Sequence, residues 1–151
     1  MRFFKTISTI LIISLLILSL VSCSHVDFDV NYLTNTGVKV ESEDITLIKS
    51  QEELKEYRNS SRFSEAEEDV IQKLDSYSPE FWEEKMLIVI NLQEITGSSE
   101  ITVKGIDFTD SEAVVKLKRK TPHVADDSIK IWSIFIELDI REIESVSYIF
   151  S

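Results

Sequence analysis

Trp132, Ile134, Ile136, Leu138 and Ile140 occupy every second position of one unbroken stretch, with Ser133, Glu137 and Asp139 between them. Side chains of a strand point alternately to its two faces, so this spacing dictates a long strand from Ile129 to Ile140 with one apolar face. Phe135 falls on the second face, among the polar residues. A strand of this kind cannot stand alone, because its apolar face must be covered by another layer.

The remaining pattern supplies the layers. Met86-Leu87-Ile88-Val89-Ile90 is apolar without alternation and rich in branched residues, which reads as a strand buried on both faces. Ile101 and Val103 alternate, but Ile106 and Phe108 switch phase at Gly105, as across a β-bulge. Ala113, Val115 and Leu117 face one way, with Lys116 and Lys118 on the other side. Ser145 to Ser151 gives a last short strand, and Ile45 to Ile48 an early one. Helices gather between the early strands. Ser50 and Glu53 have capping-box spacing, and Ser64 with Glu67 repeats it. Ala66, Val70, Ile71, Leu74 and Tyr77 share one helical face. Ser78-Pro79 restarts the chain as N-cap and first helical residue, leading into a short turn through Trp82. The expected fold is α+β. An N-terminal strand and two to three short helices pack on a bent antiparallel sheet, or a small sandwich, of about five strands.

The N-terminus sets the address. Arg2 and Lys5 precede an apolar stretch from Ile7 to Leu20, then Val21-Ser22-Cys23, then an abrupt polar turn at Ser24 and His25. This is the layout of a secretory signal peptide. With a cysteine at the cleavage point it resembles the lipobox of bacterial lipoproteins. That resemblance implies a signal over residues 1–22 and a diacylglyceryl group on Cys23, so the membrane is the first partner. The expected location is the extracytoplasmic face of the cell membrane. Residues 23–43 read as a spacer, although Val26, Phe28, Val30 and Tyr32 alternate and leave a short docked strand open. The globular domain is expected over 44–151.

Charge and composition narrow the chemistry. The chain carries a formal charge of −11, and removing residues 1–22 takes away two cations and no anion. Such a surface repels nucleic-acid phosphates, so no nucleic-acid partner is expected. Cys23 is the sole cysteine, so its acylation would leave neither disulfide nor thiolate. Three glycines leave no phosphate-cradling loop, and no zinc or EF-hand spacing is present. No cofactor is expected. Of two histidines, His25 adjoins the anchor and His123 sits in a polar loop with Asp126 and Asp127, where a weak calcium site remains open. Glu137 is the carboxylate best placed for hydrolysis, with solvent exposure or a pairing with Lys116 or Lys118 as its plainer reading. Trp82 is the preferred aromatic for a binding surface. Lys116, Lys118, Arg119 and Lys120 form a cationic strand end in an acidic domain and are candidates for partner contact.

The run from Tyr77-Ser78-Pro79-Glu80-Phe81-Trp82 into Met86–Ile90, then Gly97-Ser98-Ser99, Lys118 to Pro122, Asp127, Trp132 and Glu137, resembles the C-terminal-like domain of the protease complex subunit PrcB. The resemblance implies an accessory or binding module without catalytic residues. The expected function is a lipid-anchored, non-catalytic, protein-binding module, with a secreted or surface protease as one partner class. A cell-wall hydrolase using carboxylates and a ligand- or cation-binding sensor are the alternatives.

Overall fold

The computed structural model describes residues 26–41, 44–123 and 127–151. Over these the chain is α+β, with seven strands in two sheets and three α-helices. The strands are β1 (Phe28–Thr34), β2 (Ile45–Ile48), β3 (Lys85–Glu94), β4 (Glu100–Phe108), β5 (Glu112–Lys120), β6 (Lys130–Asp139) and β7 (Ser145–Phe150). The helices are α1 (Gln51–Arg58), α2 (Glu68–Asp75) and α3 (Phe81–Glu84), with a 3₁₀ turn at Ser61–Phe63. One sheet runs β1-β6-β3-β2 and the other β4-β5-β7.

Three layers result. Trp132, Ile134, Ile136 and Leu138 of β6 join Met86, Ile88 and Ile90 of β3, and together they pack on Val103, Ala113, Val115 and Leu117 of the second sheet. The opposite faces of the same two strands, Phe135 with Leu87 and Val89, pack under Leu54, Tyr57, Val70, Leu74 and Tyr77 of the helical layer. The central sheet is therefore covered on both sides, which is why Met86–Ile90 shows no alternation. Each such side chain, fully buried, contributes about 1.5–3 kcal/mol.

The spacer reading is corrected from Phe28 onward, and with it the domain boundary at residue 44. β1 pairs antiparallel with β6 along its whole length, from Phe28↔Leu138 to Thr34↔Trp132. Phe28, Val30 and Tyr32 pack on the inter-sheet core, and the Tyr32 hydroxyl accepts a hydrogen bond from the Val103 amide at 2.9 Å. Asp29 and Asn31 alternate with them and are exposed, which gives the segment its soluble look. Beyond β1, Thr36 and Val38 are buried. The Glu67 amide donates to the Thr36 carbonyl (2.8 Å) and the Lys39 amide to that of Arg62 (3.0 Å). Gly37 has φ +65°, and a Cβ there would stand 2.2 Å from the Glu65 carbonyl oxygen. Only glycine fits this crossing under the helices. Residues 23–25, 42 and 43 of the expected spacer lie outside the described residues.

Three further expectations meet the structure differently. Seven strands are present among the described residues, where an N-terminal strand and about five others are expected. Ser50 does cap α1, its Oγ accepting from the Glu53 amide at 3.2 Å, but Ser64 caps nothing. The Ala66 and Glu67 amides are taken by the carbonyls of Phe63 and Thr36, so α2 starts only at Glu68. Finally, β7 runs parallel to β5, which corrects the expected antiparallel sheet at that one pairing. The chain leaves the first sheet after Asp139 and enters the second beside the start of β5, where the Glu144 and Ser145 amides donate to the Ser111 carbonyl. The phase switch at Gly105 is a register shift between Val103 and Gly105, as the spacing required.

Candidate binding surface

The two sheets share their poles. Pairing places Phe28, Leu138 and Lys85 at one end of the first sheet, and Thr34, Lys130 and Glu94 at the other. Arg119 near the end of β5 bonds Glu94, whereas Arg141 lies over the Phe108 ring at 4.5 Å and the Lys49 ammonium donates to the Ile143 carbonyl. The near pole, where the chain arrives from Cys23, thus holds Phe28, Phe108 and residues 140–144. The far pole holds the ends of β5 and β7 and the turn after β3.

The far pole gathers three of the four predicted cations. Arg119 Nε and Nη2 donate to Glu94 Oε1 at 3.1 and 2.8 Å, and its guanidinium carbon lies 4.1 Å from the Phe150 ring centroid. Lys120 pairs with Glu100 at 3.7 Å. Lys118 forms no ion pair among the described residues. Lys116 lies mid-strand, 2.6 Å from Asp107. Lys116 and Lys120 are thus paired within their own sheet and Arg119 with a carboxylate of the other. Glu94 is buried, so its pair with Arg119 is less screened than the outer ones and fixes the pole.

Trp82 is not part of this surface. It sits half-buried in the helical layer, its Nε1 donating to Gln51 Oε1 at 2.7 Å and its ring 4.8 Å from Phe81 and 6.0 Å from Tyr77 between centroids. The arrangement ties α3 to the other helices. Glu137 points the same way: Lys73 Nζ and the Tyr77 hydroxyl each donate to its Oε1 at 2.9 Å. Burial, reinforced by the Glu137 charge, raises the Tyr77 phenol. The pairing of Glu137 with Lys116 or Lys118 is corrected, since both lysines belong to the other sheet.

What alternation could not find is an apolar pair at the far pole. Ile95 is 76 % exposed and Ile129 62 %. Each lies one residue past the last pair of the β3–β6 ladder, Glu94↔Lys130. Phe150, also exposed, adds to the same pole. The hydroxyl turn nearby is internally bonded, Thr96 to Ser99 at 2.5 Å and Ser99 to Thr121 at 3.5 Å. His123 and Asp127 are exposed in the following loop. Asp126 and His25 lie outside the described residues, as does Cys23. Among the described residues no cluster of three or more His, Cys, Asp or Glu is arranged for a metal, and no helix is long and apolar enough to cross a membrane.

Under the helices runs a buried polar chain. The Ser133 hydroxyl meets Thr36 Oγ1 (3.0 Å) and Asn91 Oδ1 (2.8 Å), and Asn91 Nδ2 donates to the Tyr57 hydroxyl (2.8 Å). Asp44, also buried, pairs with Arg62, whose guanidinium carbon lies 5.1 Å from the Tyr57 ring centroid. Burial, partly offset by the Asn91 bond and reinforced by Asp44, pushes the Tyr57 phenol up to about 12. A phenol raised in the folded state stabilises fully below its unfolded value near 10. That contribution, about 2–3 kcal/mol, is lost as pH rises from 10 to 12. Thermal melts over that range should fall more steeply for the wild type than for Tyr57→Phe, and equal slopes would refute the assignment.

Family models, curated proteins and solved structures yield no match to this chain.

Proposed function

We propose that the protein is a lipid-anchored, extracytoplasmic, non-catalytic module that binds another protein through its far pole, a secreted or surface protease being the candidate class of partner. The observation that carries this reading is that Ile95 and Ile129 stand exposed just past the last β3–β6 pair, at the pole that also holds Lys118 and Phe150, in a chain of formal charge −11. Branched side chains left in water at strand ends gain by burial against a partner, and Lys118, which forms no ion pair among the described residues, favours an acidic contact on it. The resemblance to the PrcB C-terminal-like domain supports the same class of role, and Cys23 supplies the anchor.

Crosslinked pull-down of the tagged lipoprotein from its own membranes, followed by mass spectrometry, tests this. A partner captured by the wild type should be lost from the Ile95→Glu, Ile129→Glu double variant, both positions being exposed enough to leave the fold intact. An empty wild-type lane after crosslinking would refute the reading, as would undiminished capture by the double variant.

A further inference from the structure

β2 ends the first sheet and is paired with β3 on one side only. The Asn91 amide donates to the Asp44 carbonyl at 2.9 Å, in the register that pairs Ile45 with Ile90. Opposed residues of an antiparallel pair alternate between bonded and unbonded. Asp44, Thr46 and Ile48 therefore turn their peptide groups toward β3, and Ile45 and Leu47 turn theirs outward. There the sheet stops, since β7 comes near from the second sheet but does not pair with β2. Beside this edge, between β2 and α1, lies an open groove of about 360 Å³, lined by Thr46, Leu47, Ile48, Glu53, Glu56 and Ser60 among others. Ser60 Oγ is buried without a hydrogen-bond partner among the described residues, an exception in a folded chain.

We propose that this groove takes an extended, basic segment of a partner protein, which adds to β2 as a further strand. Outward peptide groups on a sheet edge are a template for such an addition. The added strand runs antiparallel, as every other pairing in this sheet does. Its residues opposite Ile45 and Leu47 exchange bonds with them, and the residues between send their side chains to the helical side, where Ile48 already packs. Charge selects those side chains. Glu53 and Glu56 are exposed and form no ion pair among the described residues. Arg62, which also lines the groove, is held by buried Asp44. Lysine or arginine at alternate positions of the incoming strand meets the two carboxylates. A second copy of this chain fits poorly, because pairing β2 with β2 sets one acidic α1 against another. The groove flanks the first sheet, away from the ends of β3 and β6, and is a surface independent of the far pole.

The full-length protein, purified from membranes into non-ionic micelles, would be titrated with a dye-labelled peptide of about eight residues alternating Lys and Val. The peptide should bind. Glu53→Gln together with Glu56→Gln should weaken it by about fivefold or more at low salt, two exposed ion pairs being lost. A peptide of equal charge alternating Lys and Pro should bind about tenfold more weakly, since proline has no N–H to give the edge. Amide exchange followed by NMR supplies a readout that charge alone would not move. The Ile45 and Leu47 amides should exchange freely in the free protein and slow on saturation with the Lys–Val peptide, while those of Thr46 and Ile48 stay protected throughout. Absence of binding, equal binding of the Lys–Pro peptide, undiminished affinity of the glutamine variant, or unchanged exchange at Ile45 and Leu47 in the saturated complex would each overturn the proposal. Protection of the same two amides in a dimer of the free protein would assign the edge to a second copy and overturn it as well.

Discussion

Replacing Cys23 with alanine should abolish fatty-acid labelling of the protein and remove the signal-cleaved domain from the membrane fraction. Two acyl chains explain the size of the effect. Each buried methylene contributes about 0.8 kcal/mol, so one chain anchors marginally and two anchor stably. Nothing in the described domain replaces them. The chain is acidic, which opposes adsorption to anionic headgroups, and any one of the exposed apolar side chains offers a few kcal/mol at most on full burial. The loss should therefore be nearly complete rather than graded. Fractionation and metabolic labelling decide the matter. A wild type without label, or a cleaved alanine variant that stays with the membrane, would contradict the lipoprotein reading. Circular dichroism of the released domain should be unchanged, since Cys23 precedes every element among the described residues.

The fold was legible wherever one residue's environment is set by its own strand. β6 and β3 follow directly from their spacing, and so does the register shift at Gly105. Long-range pairing was not legible in the same way. β7 carries a plain alternation, Val146, Tyr148 and Phe150, that fits a parallel or an antiparallel neighbour equally; its direction is decided by which sheet the chain enters after Asp139. Glu137 shows the same limit at the level of one side chain. Alternation places it opposite the Trp132 face, but only the position of α2 reveals that Lys73 and Tyr77 wait there. The candidate surface was half legible. A cationic run is visible in any sequence, while its pairing with Glu100 and Asp107 depends on strand pairing and with Glu94 on how the two sheets pack. Ile95 and Ile129 look like continuations of buried strands, and only the ends of β3 and β6 leave them in water.

The largest structural effect should come from removing the segment that looked dispensable. A chain starting at Asp44, the boundary suggested by composition, should fail to fold cooperatively, whereas one starting at Val26 should melt as a single soluble domain. The difference is the contribution of residues 26–43. Phe28, Val30 and Tyr32 each bury part of a side chain on the inter-sheet core, and Val38 is fully covered. At about 1.5–3 kcal/mol for full burial, these four and the hydrogen bonds of Tyr32 and Thr36 amount to several kcal/mol. A domain of this size has only about 5–15 kcal/mol in all. The deletion also strips Ser133 of Thr36. It leaves β6, most of whose residues are buried, as a bare edge strand ten residues long, and such an edge recruits other strands. Aggregation should accompany the loss of stability. Expression of both chains, with size-exclusion chromatography and thermal melts, provides the comparison. If the chain from Asp44 were monomeric and melted within a few degrees of the longer one, β1 would be an accessory to the fold.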